Sequence, residues 1–203
     1  MAAEALGLPP PYLSTEKLAF KRCDPAKLFR ISSHGTGEPY FGRSGANRFD
    51  APGSAADAAE FSACYLGFSL TVAIAESVLH DEVPLDGGYG IAQTTLDGKY
   101  VWRFQGSALR LANLTGAPLK RLGGHADLGG TCDYATTQHW SLAVHRNPGR
   151  FDGFVYMSRH LNTEMAVILF DRAGPKIQMA TATKLLADPG FAAAAETLGI
   201  VGI

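Results

Sequence analysis

The chain has 203 residues, of which 46% are hydrophobic and 18% charged, and its formal net charge is −1. That is enough chain for one domain with a real core, and too apolar a composition for disorder. No basic or acidic run marks a nucleic-acid or membrane surface, so an anionic ligand must be gripped by a few placed arginines.

Cys23, Cys64 and Cys132 are scattered and odd in number, which argues against a disulfide framework and against a CxxC zinc site. The six histidines form no HExxH or HxH pattern, so no metal site is expected. The N-terminus lacks a basic-then-apolar signal pattern, and the apolar stretches near Leu70 and Val167 are too short to span a bilayer. A protein of a reducing compartment, the cytoplasm, is expected.

In chain order, residues 1–27 read as an N-terminal arm that cannot be helical through Pro9-Pro10-Pro11, and 28–203 as a single domain. Leu28 to Ile31 is a short strand. Ser32 to Asn47, rich in Gly, Ser and His, is a loop long enough to be functional. Ser54 starts a short helix to Phe61, and Ala63 to Gly67 is a strand around Tyr65. Ser69 caps a second helix from Leu70 to about His80, with Leu70, Ala73, Ile74 and Val78 at helical spacing. Gly87-Gly88-Tyr89-Gly90 and Gly123-Gly124-His125 lack phosphate-loop spacing and read as turns. Strands are predicted at Tyr100–Phe104 and Ala108–Leu111, a helix at Thr136–Arg146, a hairpin from Phe154–Ser158 and Met165–Phe170, and a terminal helix at Phe191–Leu198. There is no βαβ rhythm, which favours α+β.

Five residues are candidates for chemistry, and each has a plainer reading. Glu76 sits mid-helix among Val72, Ala73 and Leu79, where a carboxylate is expensive unless paired or working; the plainer reading is a solvent-facing side chain. Arg48 ends the polar loop and suits bidentate contact with a phosphate, or an ion pair with Asp50. Arg30, inside an apolar strand, carries the same two readings. Tyr65 could stack on a flat ligand or simply pack in the core. Ser158 closes a strand, to contact a sugar or phosphate oxygen or to make a turn. Cys64 reads as a small buried apolar residue rather than a nucleophile.

Taken in order, these pieces resemble the RES-domain family. Leu28-Phe29-Arg30 resembles its first arginine motif and Gly45-Ala46-Asn47-Arg48-Phe49-Asp50 its second. Cys64-Tyr65-Leu66-Gly67 followed by Ala73-Ile74-Ala75-Glu76 resembles its tyrosine strand and glutamate helix, with the family's Tyr-to-Glu separation of 11 residues. Gln138-His139-Trp140 and Asp152 through Arg159 resemble the closing segment that supplies the serine. The resemblance runs from about residue 28 to 172; the Arg48–Tyr65 stretch is longer than in compact members, and residues 81–135 carry none of the motifs.

The resemblance implies an ADP-ribosyltransferase-like α+β fold, with split, mostly antiparallel sheets and flanking helices around an NAD cleft. It implies a bacterial toxin that cleaves NAD at the nicotinamide–ribose bond, as a glycohydrolase or phosphorylase; the alternatives are a mono-ADP-ribosyltransferase acting on a protein and a non-catalytic binding domain. NAD would be the substrate, with no cofactor. An Xre-type helix-turn-helix antitoxin is the implied partner and a homodimer is compatible with the family. In the implied roles Glu76 and Arg48 are the catalytic pair, Arg48 and Arg30 hold the pyrophosphate, Tyr65 packs on the nicotinamide side, and Ser158 fixes a ribose or phosphate oxygen. Arginine-directed transferases often carry an acid two residues before the catalytic glutamate; here that residue is Ile74, which argues against arginine modification.

Overall fold

The computed structural model describes residues 5–53 and 59–202. Their elements are β1 (Phe20–Cys23), β2 (Phe29–Ser32), β3 (Ala63–Gly67), α1 (Leu70–Ser77), β4 (Tyr89–Ile91), α2 (Gln93–Asp97), β5 (Tyr100–Gly106), β6 (Leu109–Asn113), α3 (Gly116–Arg121), α4 (Asp127–Gly130), α5 (Tyr134–Arg146), β7 (Gly153–Met157), β8 (Met165–Phe170), β9 (Ile177–Lys184), α6 (Phe191–Leu198) and β10 (Ile200–Gly202). Eight strands form one curled sheet in the order β1-β6-β7-β8-β3-β2-β5-β9, antiparallel except between β6 and β7. β4 and β10 make a separate parallel pair. The molecule is α+β, as the alternation of elements implied.

The sheet is split. Most neighbouring strands share three or more register pairs, whereas β2 and β3 share one, Phe29 opposite Gly67. From that point the two strands diverge. The five strands from β1 to β3 form one half, and β2, β5 and β9 form the other.

Side-chain alternation sends the two faces of the sheet into separate cores. Phe154, Tyr156, Ile168 and Phe170 pack with Trp140 and Val144 of α5 on one face. Val155, Val167 and Leu169 point the other way, with Cys64, Leu66, Trp102 and Phe104. β7 and β8 are therefore buried on both faces, which is why their sequences are nearly unbroken apolar runs. A third core joins Leu70, Ile74 and Val78 to Ile31, Val101 and Ala194 of α6.

The N-terminal segment belongs to the first core. Leu6 and Leu13 are buried there, the Trp140 indole donates to the Gly7 carbonyl at 2.9 Å, and Asn147 Nδ2 donates to Leu13 O at 2.7 Å and Glu16 O at 2.9 Å. Pro11 opens a 3-10 turn, Pro11–Ser14, at a position where its missing N–H is no loss.

Predicted and observed elements agree within a few residues at β2, β3, α1, β5, β6, α5, β7, β8 and α6. The helix expected from Ser54 falls mainly on residues 54–58, outside the described residues, and the chain at Glu60 and Phe61 is irregular. Tyr89 and Gly90, expected in a turn, form β4 beside a turn at Gly87. β9 was not expected: most of its side chains are exposed, so it carries no apolar alternation to read.

Candidate active site

A cavity of about 400 Å³ opens where β2 and β3 diverge. Phe29, Arg30 and Ile31 line it from one half of the sheet, and Tyr65, Leu66 and Gly67 from the other. Ala46, Asn47 and Arg48 of the polar loop, one face of α1, and Tyr134 and Tyr156 complete it.

Glu76 reaches the cavity because of how α1 starts. The Ser69 hydroxyl caps the helix by accepting from the Val72 N–H at 3.1 Å. Gly67 lets the strand run straight into it, since a Cβ there would lie 2.5 Å from Val72 Cγ1 and 2.9 Å from the Ala73 nitrogen. The apolar face then packs toward α6, and Glu76 emerges on the cavity side. It is partly buried and accepts a short hydrogen bond from the Ser158 hydroxyl. Its solvent-face reading therefore does not hold. Ile74, two residues earlier, is fully buried in the α1–α6 core, away from the cavity.

Ser158 does not line the cavity. It is 2% exposed and sits behind Glu76, where its Oγ also accepts from the His160 and Leu161 N–H groups at 3.1 and 3.0 Å. Tyr156, which the sequence reading passed over, lies beside Glu76 and lines the cavity. Burial first, then the Glu76 carboxylate, pushes its phenol well above the ordinary range, so it stays protonated.

Arg48 is buried at 9% exposure yet lines the cavity. Its guanidinium donates to the Thr131 carbonyl and lies 4.8 Å from the centre of the Tyr134 ring. Among the described residues it has no carboxylate partner; Asp50, the partner its plainer reading named, accepts from Ser44, Asn47 and Tyr65 instead. The segment carrying Arg48 has no regular structure and is clamped from two sides. From α5, Thr137 Oγ1 donates to Arg48 O at 2.6 Å, Gln138 Nε2 to Gly45 O at 2.8 Å and Asn47 O at 3.0 Å, and Ser141 Oγ to Phe49 O at 2.8 Å. From β3, the Tyr65 hydroxyl accepts from the Phe49 N–H and donates to Asp50 Oδ1, both at 3.0 Å.

The Tyr65 ring lines the cavity, and its hydroxyl is committed to the protein. Burial first, then Asp50, raises its phenol well above the ordinary range. Arg30 makes an ion pair, as its plainer reading expected, with Glu38 as the partner. It lines the cavity while Nε donates to a buried Glu38 oxygen at 2.6 Å and Nη1 to Tyr65 O at 3.1 Å, across the split. Cys64, on the opposite face of β3, is fully buried, and burial lifts its thiol to about 11, which makes it inert as a nucleophile. No cluster of three or more His, Cys, Asp or Glu side chains suited to a metal occurs among the described residues.

A family model described as RES domain matches residues 27–189. The chain belongs to the RES-domain family. Its RES domain is similar in fold to a chain of the crystal structure of the M. tuberculosis MbcT–MbcA toxin–antitoxin complex, with a TM-score of 0.57 and 13% identity over 83% of this chain and 86% of that one. No curated protein matches the chain in sequence. No described helix of this RES domain is long and apolar enough to cross a membrane. Its five sequence-predicted site residues gather around one cavity, with Ser158 one layer behind. Tyr134, Tyr156 and His80 also line the cavity and were not predicted. Tyr134 and His80 had a local signal: Tyr134 follows the Asp133 cap of α5, and His80 lies four residues beyond Glu76, just past the end of α1.

Proposed function

We propose that this RES domain is the toxin of a bacterial toxin–antitoxin pair and breaks the nicotinamide–ribose bond of NAD. The observation that carries the reading is one cavity lined by both a buried arginine with no carboxylate partner among the described residues and a carboxylate held by a buried serine. NAD joins a diphosphate to a ribose bearing a cationic nicotinamide. Those parts ask for a guanidinium at one end and a fixed negative charge at the other. The family and the fold shared with a chain of a toxin–antitoxin complex support the toxin role and an antitoxin partner.

In this reading Arg48 holds the pyrophosphate, with Arg30 assisting through the part of its guanidinium not turned to Glu38. The Tyr65 and Tyr134 rings wall the flat parts of the ligand, and Tyr156, protonated, offers a donor beside Glu76. Nicotinamide leaves as a neutral amine and needs no acid. The barrier lies in positive charge building on the ribose, as in glycoside cleavage. Glu76 stabilises that charge, and Ser158 holds Glu76 in place. A fixed carboxylate of this kind contributes on the order of 100-fold or more to turnover. Glu76→Gln keeps the shape and removes the charge, so nicotinamide release by the purified variant should fall by at least that factor while the fold persists. Release at the wild-type rate would overturn the assignment.

A further inference from the structure

Ala73, Glu76 and Ser77 line the cavity from α1, and His80 joins them from the turn three residues past the helix end at Ser77. The His80 side chain is 42% exposed. Its Nδ1 lies 2.8 Å from Asp81 Oδ1. A neutral imidazole held this way donates from Nδ1 and keeps the Nε2 lone pair free. Asp81 is 93% exposed, so the contact orients the ring and adds little energy. On its other side His80 packs against His160, with ring centroids 5.0 Å apart and a 46° tilt.

We propose that His80 is the general base that deprotonates the acceptor water, which makes the enzyme a hydrolase; this rests on the NAD-cleavage reading above. The water oxygen bonds to the anomeric carbon on the face away from nicotinamide. The carbon–nitrogen bond breaks with its electron pair passing to the ring nitrogen, which becomes neutral. The water proton moves to His80 Nε2 and from there to solvent. Glu76 lies four residues before His80 on the same cavity wall, with Asp81 at Nδ1 and His160 on the ring; His160 is in turn faced by Glu76, Arg159 and Arg48. Burial lowers the His160 imidazole, against the pull of Glu76 and with His80 and the two arginines adding to the effect, so His160 favours its neutral form and adds little grip on an anionic acceptor.

His80→Gln and His80→Ala change an exposed position and should leave the fold intact. Nicotinamide and ADP-ribose release are measured across pH, with and without azide, an anionic nucleophile that needs no deprotonation. The expected result is a fall in kcat of about 100-fold with KM unchanged, loss of the acid limb of the pH profile, and recovery of nicotinamide release by azide. Variants with wild-type kcat and an unchanged acid limb overturn the proposal while leaving NAD cleavage standing. A wild-type protein that releases no nicotinamide overturns the cleavage reading, and this proposal with it.

Discussion

Two neighbours constrain the Glu76 carboxylate: Ser158 donates to Oε1, and Tyr156 keeps its proton beside it. Ser158 therefore acts through position. Ser158→Ala should lower kcat by about tenfold or more through a misplaced carboxylate, with little change in KM for NAD. If KM rises and kcat holds, Ser158 touches the ligand after all. Tyr65 acts at the other end. Tyr65→Phe keeps the ring and removes the bridge between Phe49 and Asp50 that holds the Arg48 segment. Its expected signature is a raised KM, about tenfold, with kcat near wild type, and a stability loss of about 1–2 kcal/mol by denaturant titration. Glu76, Arg48 and Tyr65 were legible in the sequence only as an ordered set. The commitment of the Tyr65 hydroxyl to Asp50 was not, because the partner lies 15 residues away in irregular chain.

Among the elements, α1 and α5 show what periodicity can and cannot reveal. The apolar face of α1 and its Ser69 cap are written in the sequence. Its polar side is written there too, in Glu76 and Ser77, which line the cavity. The work of α5 is not written anywhere, since Thr137, Gln138 and Ser141 bind backbone carbonyls, which every residue carries. Thr137→Val removes a fully buried hydroxyl at constant shape and leaves the Arg48 carbonyl without that donor. It should cost about 1–2 kcal/mol in stability and weaken NAD binding, with the thermal midpoint and a calorimetric titration as the two readouts.

In the whole molecule, some stabilising contacts lie away from the cavity. Asp188 is buried and accepts from Arg103 and from the Gly190 N–H. Burial alone would raise its carboxyl, but these partners bring it below its ordinary value. A depressed carboxyl contributes stability that is present above the unfolded value, near about 3.9, and disappears as pH falls through the folded one. The difference in thermal midpoint between wild type and Asp188→Asn should thus be constant above about pH 5 and shrink below about pH 4. The N-terminal segment is equally structural: Leu13→Ala empties a fully buried site beside Trp140 and should cost about 3 kcal/mol without altering the cavity.

The split between β2 and β3 has a mechanical consequence. One register pair, Phe29 with Gly67, and one side-chain bond, from Arg30 to Tyr65 O, tie the two halves together at the cavity. A ligand that grips Arg30 on one side and Glu76 and Arg48 on the other becomes a suture across the weakest line of the sheet. Backbone amides of Phe29–Ser32 and Tyr65–Gly67 should then be the ones whose hydrogen exchange slows most when NAD is bound to the Glu76→Gln variant, more than those of the doubly buried β7 and β8.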